Sequence, residues 1–552
     1  MLKTLWKHFR TLDIFLDKHA LGLFLCLLVF ILRIPTFAEP YWYGDEAIYL
    51  TIGNALRAGE RMYVDVIDHK TPLIYYFAAF AGDQFGFRLL TLAAVVLSTA
   101  FFFFLTKDFF SRIRYRTLAT LIFILYTNIP RYEGNIPNGE LFVMTFVLGA
   151  LVLLRHTSIY QSFFTKAKHV TLPNIIRKQS GNTVFLFSSG VLFGLATLTK
   201  VPAVFDFAAV FALGWFLAID EVFPSGSIAK RWTQKLYSIV LQLGLVLSGW
   251  GAAIFASIVY HALRGSLSEY IDFGLLYNFR YAGSWSPQFP SPVVAVFFSL
   301  PGKLFILTAW TLLLTLLRKH LTPQFRFAAV WLLLTLVAAT LSNRPYPHYF
   351  LQVFPALSIV VAQVFEVLFE CLSAGAKMLR SQAWKWEKQV TSHITQVALS
   401  FIVVAIFMTT LELLQVTPYP TTKYYRLFYQ FATKQISWPE YRDQFNPLLR
   451  DNYQISKLLR MNPEEEIFIW GDNPLLYALS GKNPVGRFTV AFHIDDFNAY
   501  QETLDVVQTK SPKYIIVMKH RTMLQGLEPY LNANYIPSGE YDTLTVWRRT
   551  NH

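Results

Sequence analysis

Two carboxylates followed by a second charged cluster open the chemistry of this chain: Asp45 and Glu46, then Asp65, Asp68, His69 and Lys70, within "YGDEAIYLTIGNALRAGERMYVDVIDHKTPLIYY" at 43–76. The stretch before it, "LGLFLCLLVFILRIPTFA", is almost uncharged and reads as a membrane span. A chain that leaves a membrane and at once presents these groups has the parts of a reaction site at the membrane surface. The apolar residues Ile48, Ile52, Ala55 and Leu56 fall at helical spacing, which predicts a surface helix over 45–58. Asp45 then sits at the positive end of that helix, where an ionised carboxylate is favoured. An ionised carboxylate accepts a proton or holds a cation. A second acid, Glu140, lies where "RYEGNIPNGELF" meets a later span. Two carboxylates near Lys70 suit group transfer to a hydroxyl, with a base for the acceptor and a cation for a phosphate leaving group.

The elements that must position these residues are membrane helices. Of 552 residues, 54% are hydrophobic and only 15% charged, against about a quarter charged in an ordinary soluble domain. The composition predicts a polytopic, mainly α protein of about eleven spans, near 19–37, 87–106, 115–130, 139–156, 183–200, 203–222, 236–262, 293–317, 324–341, 349–372 and 394–415. The net charge of +14 does not point to nucleic acid, because Lys and Arg cluster in short loops between spans. By the positive-inside rule 1–18, 107–116, 157–182, 223–235, 318–326 and 373–393 face the cytoplasm, and 39–86, 131–138, 263–292 and 342–348 lie outside. The basic N-terminus reads as part of a retained first helix, not a cleaved signal. The stretch 72–82 is too short to span, and Tyr75 and Tyr76 suit the interface, so it is expected to lie on the outer surface. Cys26 and Cys371 sit in apolar runs and read as packing residues. The Phe-rich "AFFFFL" and "VAVFFSL" are candidate walls for a lipid tail.

From about 420 the composition changes. "EEEIFIWGDNPLLYALSG" reads as a strand, a turn at Gly471, Asp472 and Asn473, and a helix. "SPKYIIVMK" is a buried strand and "GEYDTLTVWRR" alternates like a final one. The expected organisation is a membrane domain over 1–415, with external loop 39–86, and a small α/β domain over 416–552 outside the cytoplasm.

Taken in order, several segments resemble the GT-C membrane glycosyltransferases, in particular the branch holding the aminoarabinose transferase and the protein O-mannosyltransferases. "YGDEAIYLTIGNALRAGE" is similar to the acidic first-loop motif, "DHKTPLIYY" to an "EKPPLYYW" element and "PNGELF" to a second acidic motif. "GLATLTKVPAVF" resembles the Gly-Leu…Thr-Lys segment, "PHYFLQVFPALSI" the "RYLLPALP" element, and "IFIWGDNPLLYALSGKNP" a segment of the C-terminal domain. The resemblance implies a GT-C fold and transfer of a sugar from a polyprenyl-phosphate carrier to an extracytoplasmic acceptor. It implies Asp45 as general base, Glu140 as the second acid, and Lys70 and Tyr349 at the carrier phosphate. His348 stands where several relatives have Arg. Arg344 and Arg57 are further candidate cations for that phosphate, and Glu46 and His69 complete the expected substrate-binding set. Thr71 replaces a first Pro, and Asp68-His69 stand in place of a single acid.

The sequence shows no compact cluster with metal-ligand spacing. A divalent ion such as Mg²⁺, Mn²⁺ or Ca²⁺ remains open if Asp45, Glu140 and His69 converge in space. Two rival readings also stay open: a transporter or flippase of lipid-linked sugars, and an O-antigen ligase or polymerase. Transporters place ionisable groups inside spans, and here only Asp206 and Arg88 come near that.

Overall fold

The computed structural model describes residues 20–165, 179–222, 229–285, 287–378, 387–461 and 466–550. The basic stretch 1–18, parts of loops 157–182, 223–235 and 373–393, and the side chain of Cys371 lie outside the described residues. The protein is a mainly helical, multi-pass membrane chain. Each of the eleven expected spans falls on helix, but they do not all qualify as crossings. Among the described residues, seven helices are long and apolar enough to cross a membrane, and nine crossings result if each of two bent pairs is one span. Gly139–Leu154 with Ser158–Phe164 turns by 85°, and Pro292–Phe298 with Leu300–Leu316 by 73°. Ile113–Asn128 has 16 residues and Pro323–Ala339 has 17. At about 1.5 Å per residue both fall short of the roughly 30 Å of hydrocarbon. Seven to nine of the eleven expected spans thus qualify as full crossings among the described residues.

Local chemistry sets the helix ends. Asp83 caps Gln84–Phe109 by accepting the Gly86 amide at 2.8 Å, and Thr322 does the same for Pro323–Ala339. Two long helices, Gln179–Thr199 and Ala229–Leu263, cross at backbone contact. A Cβ on Gly190 would stand 2.0 Å from the Val246 carbonyl oxygen, and one on Gly249 would stand 2.0 Å from that of Phe187. Small residues let membrane helices approach this closely. Of the Phe-rich runs, Phe102 stacks on Phe123 with centroids 4.5 Å apart inside the core, so "AFFFFL" packs helices. "VAVFFSL" keeps Val296, Phe297 and Leu300 exposed.

The stretch after the first span is not a free solvated loop. The predicted helix is present as Gly44–Arg57, with Asp45 and Glu46 in its first turn. Its apolar face buries Ile48, Ile52 and Ala55 rather than lying on a surface. Leu73–Ala81 packs beneath it so closely that a Cβ on Gly53 would stand 2.7 Å from the Ala79 amide nitrogen. The expected interfacial position of Tyr75 is therefore overturned: it is fully buried against Tyr49. Tyr76 remains partly exposed and meets the Tyr260 hydroxyl at 3.0 Å.

The C-terminal segment carries a four-stranded sheet: β1 (Ile467–Trp470), β2 (Tyr514–Met518), β3 (Tyr535–Glu540) and β4 (Leu544–Arg549), in the order β1-β2-β4-β3. β1 and β2 run parallel and the other pairs antiparallel. The strand, turn and helix expected at 464–481 appear as β1 and Pro474–Ser480. This segment packs directly on the first loop. The Ile67 amide donates to the Arg487 carbonyl at 2.9 Å, and Ile67 shares a buried cluster with Trp470, Phe488 and Val517. Among the described residues, an even number of membrane helices lies between loop 39–86 and this segment, with or without the two short ones, which agrees with both lying at one end of the bundle.

Candidate functional site

The site forms where helix ends and the first loop meet. Gly44–Arg57 and Gly139–Leu154 each bring an acid in the first turn, Asp45 and Glu140, where the positive helix end favours a carboxylate. Gln179–Thr199 ends at Lys200, a cation at a negative helix end. The turn at 347–353 brings His348 and Tyr349.

Lys70 is the hub. Its Nζ lies 3.3 Å from Asp45 Oδ2 and 3.7 Å from Asp68 Oδ2, and 5.0 Å from the centroid of the Tyr49 ring. Burial alone would lower the Lys70 pKa, but Asp45 and Asp68 outweigh it and hold the ammonium well above its usual range. For Asp45, burial pushes the carboxyl up, while Lys70, His348 and Lys200 pull it down. The balance leaves it below its ordinary 3.8. Asp45 is thus an ionised carboxylate with 29% of its side chain open to solvent.

Glu140 does not join Asp45 and His69. It is ion-paired with Lys200, whose Nζ also sits 4.0 Å from the Tyr349 ring centroid. Burial lowers the Lys200 pKa, and Glu140 only partly restores it. The Tyr349 hydroxyl lies 3.1 Å from that of Tyr281. Tyr281 stacks on His69 with centroids 4.5 Å apart and carries the Arg344 guanidinium over its own ring, 4.4 Å from the centroid. Arg344 therefore stands at the rim, donating to Ser284 Oγ at 3.0 Å. His348 faces the Glu133 carboxylate through Nδ1, and the Tyr43 hydroxyl stands 3.2 Å from the same nitrogen.

Two expected residues are turned elsewhere. Glu46 accepts both Nε and Nη2 of Arg88, at 2.8 and 2.7 Å, with each side chain about 1% exposed. It anchors the loop to the Gln84–Phe109 helix and offers no free oxygen to a substrate. Arg57 lies twelve residues beyond Asp45 along the same helix, roughly 18 Å away. It donates to the carbonyls of Ala79 and Gly82 and to Asn54, beside a cavity of about 280 Å³ lined also by Asp83 and Arg460. Neither belongs to the constellation around Lys70.

Asp45, Glu140 and His69, left open as a metal-ligating set, do not form one cluster among the described residues. His69 turns to Asp68 and to His493, a residue of the C-terminal segment. Lys200, Glu133, Tyr281 and His493 were not among the sequence candidates. Lys200 had a readable signal, since it is the sole charged residue between Lys178 and Asp206. His493 had none, because 424 positions separate it from His69.

No protein-family model and no curated protein sequence matches the chain. Among solved structures, the archaeal oligosaccharyltransferase AglB of Archaeoglobus fulgidus, in complex with an inhibitory peptide and a dolichol-phosphate, aligns with a TM-score of 0.45 at 12% identity. That alignment covers 97% of this chain and 75% of the other. The A. fulgidus oligosaccharyltransferase tethered to an acceptor peptide gives 0.44 at 12% identity, with 97% and 74% covered. Its apo form gives 0.43 at 14%, with 90% and 69% covered. Scores below 0.5 do not establish a shared fold.

Proposed function

We propose that the chain is an integral-membrane glycosyltransferase of the GT-C type that moves a sugar from a polyprenyl-phosphate carrier to the hydroxyl of an extracytoplasmic acceptor, a glycan, lipid or protein. The observation that carries this reading is the pairing of an ionised, partly open Asp45 with Lys70 at 3.3 Å, beside Lys200 and Tyr349 at the end of a membrane helix bundle. The ordered set of sequence segments similar to that superfamily supports it.

The chemistry follows from the donor. As the acceptor oxygen attacks the anomeric carbon, its proton passes to the Asp45 carboxylate. The new C–O bond forms as the bond from the anomeric carbon to the phosphate oxygen breaks, and the phosphate keeps the electron pair. Lys70 and Lys200 neutralise the charge that grows on it. One displacement inverts the anomeric centre. The carrier's chain stays in lipid, which suits a site at the membrane end of the helices.

The flippase reading expects ionisable groups free along a path inside the bundle. The two charges nearest that description are fully engaged: Arg88 by Glu46 and Glu39, and Asp206 by Trp331 Nε1 at 2.7 Å and by Gln352. The deciding experiment incubates the purified chain with a panel of radiolabelled polyprenyl-phosphate sugars and membrane-extract acceptors. Label transferred by the wild type and lost in Asp45→Asn is expected. Label that stays on the carrier, but moves between leaflets of a vesicle, would favour the flippase instead.

A further inference from the structure

We propose that Asp68, His69 and His493 form a metal site of zinc class that clips the C-terminal segment to the loop carrying Lys70. This goes beyond the transfer reading and does not depend on it. The three side chains are buried, and their donor atoms close into a triangle. Asp68 Oδ1 lies 2.9 Å from His69 Nδ1 and 3.3 Å from His493 Nε2, and the two nitrogens are 3.3 Å apart. Donors about 2.05 Å from a tetrahedral zinc stand about 3.3 Å from one another. The triangle thus has the dimensions of one face of such a site.

Hydrogen bonding alone explains the arrangement less well. Asp68 Oδ1 already accepts the His69 backbone amide at 2.7 Å. Two imidazole N–H groups directed at that same oxygen would then face each other at 3.3 Å. Two imidazoles and one carboxylate select zinc-like ions over Mg²⁺ or Ca²⁺, which take sets of oxygens. Three protein donors leave a fourth position for water or a substrate oxygen.

The backbone is built to hold the triangle. The Ile67 amide bonds the Arg487 carbonyl at 2.9 Å, and Asp472 Oδ1 accepts the Phe492 amide at 2.9 Å, so each side of the junction is fixed one residue from a ligand. His493 Nδ1 has no protein partner. An imidazole without that outer support typically binds metal about 10- to 100-fold more weakly, so the ion should yield to a strong chelator. A bound dication would also leave the pocket net positive. With Asp45 and Asp68 against Lys70 and the metal, an incoming phosphate would meet a cationic surface.

The test uses the full chain purified in detergent without chelator. Elemental analysis should find close to one zinc per chain. After stripping with dipicolinate, titration with Co²⁺ should give the intense visible bands of a tetrahedral ion, saturating at one equivalent and bleached by Zn²⁺. His493→Ala should lose both signals while His520→Ala, an exposed histidine, keeps them. Wild-type protein with no zinc above buffer and no cobalt band would overturn the proposal, as would bands that persist in a monodisperse His493→Ala. If that variant aggregates, the wild-type cobalt titration decides alone.

Discussion

Replacing Lys70 by Met should move the acid limb of the pH–activity curve as well as lower its plateau. Lys70 Nζ and Asp45 Oδ2 are 3.3 Å apart, and at an effective dielectric of about 20 that pair attracts by about 5 kcal/mol. Asp45 keeps 29% of its side chain in solvent, and screening reduces the attraction to about 2 kcal/mol. In the wild type, Asp45 is held below 3.8, so the base is ionised throughout the usual working range. The sign is that of a depressed carboxyl: function is full above the group's pKa and lost as pH falls through it. Without Lys70, burial and Asp68 are opposed only by His348 and Lys200, and the half-point should rise to higher pH. Loss of the phosphate contact, about 1.5–3 kcal/mol, should lower kcat/KM for the donor about 10- to 150-fold at every pH. Steady-state transfer measured from about pH 4.5 to 8 in nanodiscs separates the two effects. A curve that drops uniformly, with its acid limb unmoved, would mean that the group titrating in catalysis does not feel Lys70, and Asp45 would lose its role as base. A curve unchanged in height as well would reduce Lys70 to an anchoring lysine.

Glu140→Gln removes the partner that partly restores the buried Lys200 ammonium; the alkaline limb of kcat/KM should shift to lower pH, because Lys200 acts only while charged and is lost as pH rises through its pKa. Glu46→Gln breaks the fully buried pair with Arg88 and should cost about 3–5 kcal/mol, read as a lower thermal midpoint by light scattering in detergent, with transfer per folded molecule retained. Gly190→Leu should separate the two long helices, where even a Cβ would meet the Val246 carbonyl oxygen at 2.0 Å. A marked loss of folded yield is expected, and normal yield would show that the crossing can relax.

How far the site could be read from sequence depended on whether the signal was local. The helix at 44–57 was legible because four apolar residues repeat at helical spacing, and β1 with its following helix because a buried run meets a Gly-Asp-Asn turn. The burial of Tyr75 was not, since an aromatic pair at a span end looks the same at an interface as beneath another helix. Glu46 and Asp45 are chemically alike and adjacent, yet successive helical positions point about 100° apart. One faces Arg88 and the other Lys70. No local pattern tells which acid is structural. The bends at 155–157 and 299 were illegible for a related reason, because hydropathy reports apolar length alone.

The bond between Ile67 and Arg487 also constrains the order of assembly. The loop that carries Lys70 emerges early in synthesis, but the residues that cover Ile67 are made more than 400 positions later. Until then, the apolar faces that meet residues 470–517 stand open. Contacts of such long sequence separation form slowly, and unpaired surfaces of this kind invite aggregation or chaperone capture. A nascent chain paused after its last membrane helix would therefore have its span bundle in place and its reaction site still incomplete.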